Sequence, residues 1–181
     1  GYSLRFLIHS NLISNSPDGI IKGSDDLGAM KGEYTLSIPR YLNGWEVKTV
    51  DNEGFSSKEG EKGYSFNKLV LPDTLVSIGE KAFMNAKSLP EVSLPYSVTE
   101  ISDYIFAGCS SLKSFTIHVY TTSIGNGAFS GCSQLGEIKI PESVKTIGEK
   151  AFMGCSNLKA VNFPKNLESI GENAFLNPLV L

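Results

Sequence analysis

Three cysteines stand in one phase of this chain: Cys109, Cys132 and Cys155, each 23 residues from the next. Thiols at a fixed interval can pair as disulfides, hold a soft metal as thiolates, or fill space as small apolar groups. Neighbouring strands lie about 4.8 Å apart, so stacking at that spacing would bring thiols near bridging range. Ala86 and Pro178 occupy the same phase, so a small residue suffices there. Metal motifs place further Cys or His close in sequence, and none stands beside these three. The expectation is three reduced, metal-free thiols that pack.

The remaining candidates for chemistry are few. The two histidines are His9 and His118. A nucleophile–imidazole–carboxylate set would need partners brought together by the fold, and no G-x-S-x-G motif marks one. Gly125-Asn126-Gly127 resembles the start of a dinucleotide fingerprint, but its position inside a repeat reads as a turn. Asp25-Asp26 lacks the spaced oxygen ligands of a cation loop and reads as a solvated turn. No catalytic residue, cofactor or metal is expected. Sixteen Lys and Arg against 19 Asp and Glu give a net charge of −3, which offers no general attraction to nucleic acid or an anionic membrane. No apolar run reaches the roughly 20 residues of a membrane span.

The element that positions these residues is a repeat. Phe83, Phe106, Phe129, Phe152 and Phe175 keep the 23-residue interval. So do Ile78, Ile101, Ile124, Ile147 and Ile170, and Leu89, Leu112, Leu135, Leu158 and Leu181. Val92, Phe115, Ile138 and Val161 form a fourth column, and Leu94, Ile117, Ile140 and Phe163 a fifth. Each unit reads L-x-x-[VFI]-x-[LIF]-P-x-x-V-x-x-I-G-x-x-A-F-x-x-C. Alternation such as Phe115-Thr116-Ile117 predicts a short strand. Pro72, Pro95, Pro141 and Pro164 end it, because Pro has no N–H for the ladder. A second extended piece carries Val144 and Ile147, Gly148 is read as permitting a sharp bend, and Glu149-Lys150-Ala151-Phe152 suits one helical turn. Asn85, Gly108, Gly131, Gly154 and Asn177 share a phase that suits left-handed backbone. No unit can bury its apolar side alone, so stacking is required.

Residues 66–181 resemble the BspA-like, bacterial surface-protein type of leucine-rich repeat, whose hallmark is I-G-x-x-A-F-x-x-C. The motif stands at Ile124 to Cys132 and Ile147 to Cys155, with weaker copies at Ile78 to Ala86 and Ile101 to Cys109. The last copy, Ile170 to Pro178, loses the Cys. The Asn ladder of common leucine-rich repeats is replaced by Thr74, Ser97, Tyr120, Ser143 and Asn166, which argues for a Pro-turn subtype. The resemblance implies a secreted or cell-surface location and adhesion to a protein or another cell.

The reading is a right-handed leucine-rich-repeat solenoid, mainly β with short helical or 3-10 turns. Residues 36–181 form about six units, the first running from Leu36 to Phe55 with a turn lengthened by Tyr41 to Trp45. The 28-residue step from Phe55 to Phe83 puts a five-residue surface insertion within Ser56–Gly63. Residues 1–35 fall outside the period. Ser16-Pro17-Asp18-Gly19 there predicts a β-hairpin that caps the stack.

The exposed strand positions are the candidate contact surface. Ser93, Thr116, Lys139 and Asn162 form a central row, flanked by Glu91, Ser114, Glu137, Lys113 and Lys159. In the unit at 112–134 His118 replaces Pro and Thr121 replaces Val or Leu. This is read as releasing the turn from the Pro constraint and placing His118 and Tyr120 at the rim of the row. Binding of a macromolecule is the leading function. A spacer without its own ligand is the alternative, and a hydrolase in a solenoid groove ranks below both.

Overall fold

The computed structural model describes residues 13–15, 20–23, 34–42, 44–56 and 66–176. His9, Asp25-Asp26, Asn177, Pro178, Leu181, the Ser16–Gly19 turn and nearly all of the 56–63 insertion lie outside these residues.

Alternating side chains produce one short strand per coil, which follows Leu89, Leu112, Leu135 and Leu158 in four of them. These are β7 (Phe66–Val70), β9 (Glu91–Ser93), β11 (Ser114–Thr116), β13 (Ile138–Lys139) and β15 (Val161–Asn162). Upstream, β3 (Tyr34–Ser37) pairs with β7 in parallel. The strands β9 and β11 pair with Val92 opposite Phe115, and β13 and β15 with Ile138 opposite Val161. A Ser114–Glu137 bridge joins the two pairs. From β9 onward the partners are 23 residues apart, so there the sequence period is the strand register.

The second extended pieces are β6 (Thr49–Val50), β8 (Ser77–Ile78), β10 (Glu100–Ile101), β12 (Ser123–Ile124), β14 (Thr146–Ile147) and β16 (Ser169–Ile170). They form two parallel runs, β6-β8 and β10-β12-β14-β16. The break between β8 and β10 has a local cause. Gly125, Gly148 and Gly171 each donate their N–H to the preceding coil's Ile carbonyl. In that phase β10 carries Ser102, and its hydroxyl, not its N–H, is bonded to the Ile78 carbonyl. At the other end, β1 (Ile13–Asn15) pairs antiparallel with β2 (Ile20–Gly23), and β2 pairs in parallel with β6. The lengthened first turn holds β4 (Tyr41–Leu42) and β5 (Trp45–Glu46), an antiparallel pair turning at Gly44, φ +83°.

The Ala-Phe segment is a third ladder and contains no helix. Alternate N–H groups serve different partners. Ala128, Ser130 and Cys132 bond three residues back, while Gly127, Phe129 and Gly131 donate to Glu149, Ala151 and Met153 of the next coil. The alternation needs left-handed residues. One column holds Lys81, Tyr104, Gly127, Lys150 and Asn173 at φ 54–57°, and another Asn85, Gly108, Gly131 and Gly154 at 62–75°. The second is the phase read above as left-handed. A continuous helix would spend all these N–H groups within its own coil, whereas the alternation knits coil to coil.

The core lies between the ladders. Phe55, Phe83, Phe106, Phe129 and Phe152 are fully buried, and together with Phe175 they form one column. Their ring centroids are 5.0–5.8 Å apart and nearly parallel. In the last described coil this cover thins. Phe175 is only partly buried, while Phe163 and Ile170 are about half exposed. Among the described residues, no helix is long and apolar enough to cross a membrane.

Gly148 corrects one expectation. Its φ is not positive; it is needed for close approach. A Cβ there would lie 2.5 Å from the Asn126 amide nitrogen and 2.6 Å from the Gly125 carbonyl carbon.

Candidate interaction surface

The geometry of the thiols decides between the three chemistries. Cys109, Cys132 and Cys155 are buried thiols outside any disulfide. Each Sγ–H points at a Phe carbonyl of the preceding coil: Phe83 at 3.3 Å, Phe106 at 3.2 Å and Phe129 at 3.2 Å. Burial pushes the Cys109 and Cys155 thiols from their ordinary 9.0 up to about 12, and raises Cys132 as well. Thiolate is the nucleophile and the metal ligand, so burial suppresses both reactions. Thiol reagent at pH 8 should leave all three unmodified in the folded chain and count three after denaturation. Any fast-reacting thiol in the folded chain would contradict this packing role. The thiols' contribution to stability is full below pH 9.0 and is lost as pH rises from 9.0 towards 12.

The strand face carries the proposed row as solvent-exposed side chains. Ser93, Thr116, Lys139 and Asn162 are exposed, as are Glu91, Ser114, Glu137, Lys113 and Lys159. Ser93 stands opposite Thr116, and Lys139 opposite Asn162. Lys139 pairs with Glu137 along its own strand at 3.8 Å. Both ends of that pair are well exposed, so it contributes little to stability.

His118 is corrected. Its ring is not on the rim; it is buried, 7% exposed. Nor is its turn released. Thr121 donates to the His118 carbonyl at 3.0 Å, as Val98 does to Pro95 and Val144 to Pro141. Where the other coils use a pyrrolidine ring, this one uses an imidazole bonded to the Val98 carbonyl through Nε2 at 2.9 Å. A buried ring nitrogen needs such a partner.

Burial of His118 leaves its neighbours outside. Val119 is 66% exposed and Tyr120 59%. Tyr96, which sequence reasoning did not single out, is 70% exposed. Its ring meets Tyr120 edge-on at 5.9 Å and His118 at 5.3 Å. Tyr96, Val119 and Tyr120 thus form one aromatic-apolar patch at the end of β9 and β11. Charges beside it are engaged: Asp73 with Arg40 at 3.2 Å, and the Glu142 carboxylate with the Lys165 N–H at 2.9 Å.

A different surface lies over β12, β14 and β16. It is an open trough of about 500 Å³ lined by Ser123, Thr146, Ser169, Asp103, Glu149 and Glu172, among others. Asn126 and Asp103 run a side-chain ladder along its border. Asp103 Oδ1 accepts the Asn126 N–H at 2.7 Å, and Asn126 Oδ1 accepts that of Glu149 at 2.8 Å. This ladder also went unread in the sequence. It accounts for the Gly125-Asn126-Gly127 motif without a phosphate. Among the described residues no group of three or more metal-ligating side chains occurs.

Parallel coils of 23 residues joined by Pro-ended turns define a leucine-rich-repeat protein. A family model of the BspA type leucine rich repeat region matches residues 50–179 in six copies. The chain belongs to that family. Among solved structures it is similar to a leucine rich cell surface protein from Faecalibacterium prausnitzii. The identity there is 38%, over 71% of this chain and 31% of that one, with a TM-score of 0.61. The chain therefore spans about a third of that neighbour. A T. pallidum leucine rich repeat protein shares 20% identity over 96% of this chain and 91% of that one, TM-score 0.64. A leucine-rich repeat protein from Eubacterium ventriosum shares 21% over 94% and 51%, TM-score 0.62. These two share the fold alone. No curated protein matches the chain.

Proposed function

We propose that this domain is a non-catalytic interaction module, displayed at a cell surface or secreted, that grips a protein partner in adhesion. The contact surface is the first-strand face together with its turn rim, and residues 1–35 serve as the cap of the stack. The carrying observation is the Tyr96–Val119–Tyr120 patch, which exposes two aromatic rings held in mutual edge contact. Aromatic side chains dominate interface energetics, and rings already braced against one another lose little freedom on binding. The Ser93–Thr116 row beside the patch offers hydroxyls in a hydrogen-bonded ladder. The likeness to a cell-surface protein supports the location.

Domain binding to a panel of immobilised extracellular proteins tests this. For any binder found, Tyr120→Ala or Tyr96→Ala should weaken affinity on the order of 10-fold to 30-fold, with circular dichroism and denaturation unchanged. Thr116→Glu/Lys139→Glu should weaken it as well. Unchanged affinity in all of these, with loss on Glu149→Ala or Thr146→Arg, would place recognition in the second-strand trough, the reading its concavity favours.

A further inference from the structure

The His118 site contains hydrogen bonds that only one protonation state can make. The Val98 carbonyl is an acceptor, so Nε2 at 2.9 Å must carry a hydrogen. The Tyr120 backbone N–H is a donor directed at Nδ1 at 3.3 Å, so Nδ1 must carry a lone pair. Thr121 Oγ1, at 3.5 Å, can take either role. The partners thus fix the neutral Nε2–H tautomer. A second proton on Nδ1 would set two donors against each other inside a buried site.

The groups facing the ring offer an imidazolium no compensation. From the preceding coil come Tyr96 and Val98, and from its own turn Tyr120 and Thr121. On the following coil Glu142 is exposed and accepts the Lys165 N–H, and two coils back Asp73 pairs with Arg40. Among the described residues no carboxylate bonds the imidazole. The turn also lacks a brace that other coils have. Ser97 Oγ is bonded to the Leu75 carbonyl, 22 residues back, and the same offset from Ser143 falls on Thr121. Ser143 Oγ is instead buried without a partner.

We propose that His118 is an acid-sensitive catch for the rim. The neutral imidazole holds the 118–121 turn, and with it Tyr120 against Tyr96. Uptake of a second proton releases both. Histidine is the side chain whose unperturbed form changes charge between about pH 5 and 8. This inference rests on the rim being the recognition surface only for its consequence; the catch itself belongs to the free chain.

The test is an NMR pH titration of the isolated chain, without a partner. The Tyr120 amide and the Tyr96 ring resonances should move together along a one-proton curve that matches the His118 imidazole. They should stay flat in His118→Gln, whose amide can donate to the Val98 carbonyl, and in His118→Pro, which restores the ring the other coils use. An unchanged Tyr120 amide down to pH 5 in the folded wild-type chain would overturn the catch, even if both variants failed to fold. Movement that persists in folded variants would overturn it too. A titrating turn beside a partner affinity that ignores pH would keep the catch and remove the rim as recognition surface.

Discussion

Phe129→Ala should cost about 3–5 kcal/mol of folding stability. The ring is fully buried, stacked on Phe106 at 5.8 Å and on Phe152 at 5.2 Å, with Phe115 edge-on at 4.7 Å. Truncation removes contacts on three sides. The hydrogen bonds of the neighbouring backbone to coils on either side prevent the hole from closing. Phe175→Ala should cost less, about 2 kcal/mol, because that ring is partly exposed. Urea denaturation of both variants measures the difference. Equal losses would mean that the two positions are packed alike, against a column whose cover thins at residue 175.

Gly148→Ala should cost at least about 3 kcal/mol, at the upper end of overpacking. Its added carbon would fall within 2.7 Å of three atoms of Gly125 and Asn126, two of them backbone that cannot rotate away. Gly154→Ala makes the contrast. Its φ of +75° is left-handed, yet the nearest atom to an added Cβ is 3.6 Å away. Only conformational strain opposes that change, about 1–2 kcal/mol. Thermal or chemical denaturation should therefore rank Gly148→Ala as the more damaging. The reverse order would show that the coils are further apart than the hydrogen-bonded spacing requires.

The same two glycines show what the sequence made legible. The stack could be read because each core column is filled by one coil after another, and from β9 onward the 23-residue period is itself the strand register. Gly154 was readable because Asn85 shares its phase, and Asn and Gly together mark left-handed backbone. Gly148 was misread because a close approach depends on the backbone of the preceding coil, which no local pattern displays. The Ala-Phe segment suited a helical turn by composition, but inter-coil bonding took every second N–H.

The surface was less legible than the core. The exposed row could be placed because alternation fixes which side chains leave the core. His118 reads as a rim residue because loss of Pro suggests a released turn, and its burial follows from the Val98 carbonyl 20 residues away. Tyr96 escaped notice because the strict period aligns it with Val119. Its contact with Tyr120, 24 residues on, crosses the columns. Asp103 and Asn126 bond from coil to coil after the second strand, whereas the Asn ladder of common leucine-rich repeats follows the first.

The central claim is that recognition occurs at the Tyr96–Tyr120 rim, and site-specific photo-crosslinking tests it most directly. A benzophenone side chain would replace Val119, which is exposed beside both rings, and in a second protein Thr146, which lines the trough. Each would be irradiated with the same bound extracellular protein. The account predicts a covalent adduct from position 119 and none from 146. An adduct from 146 alone would contradict it and move recognition to the second-strand trough.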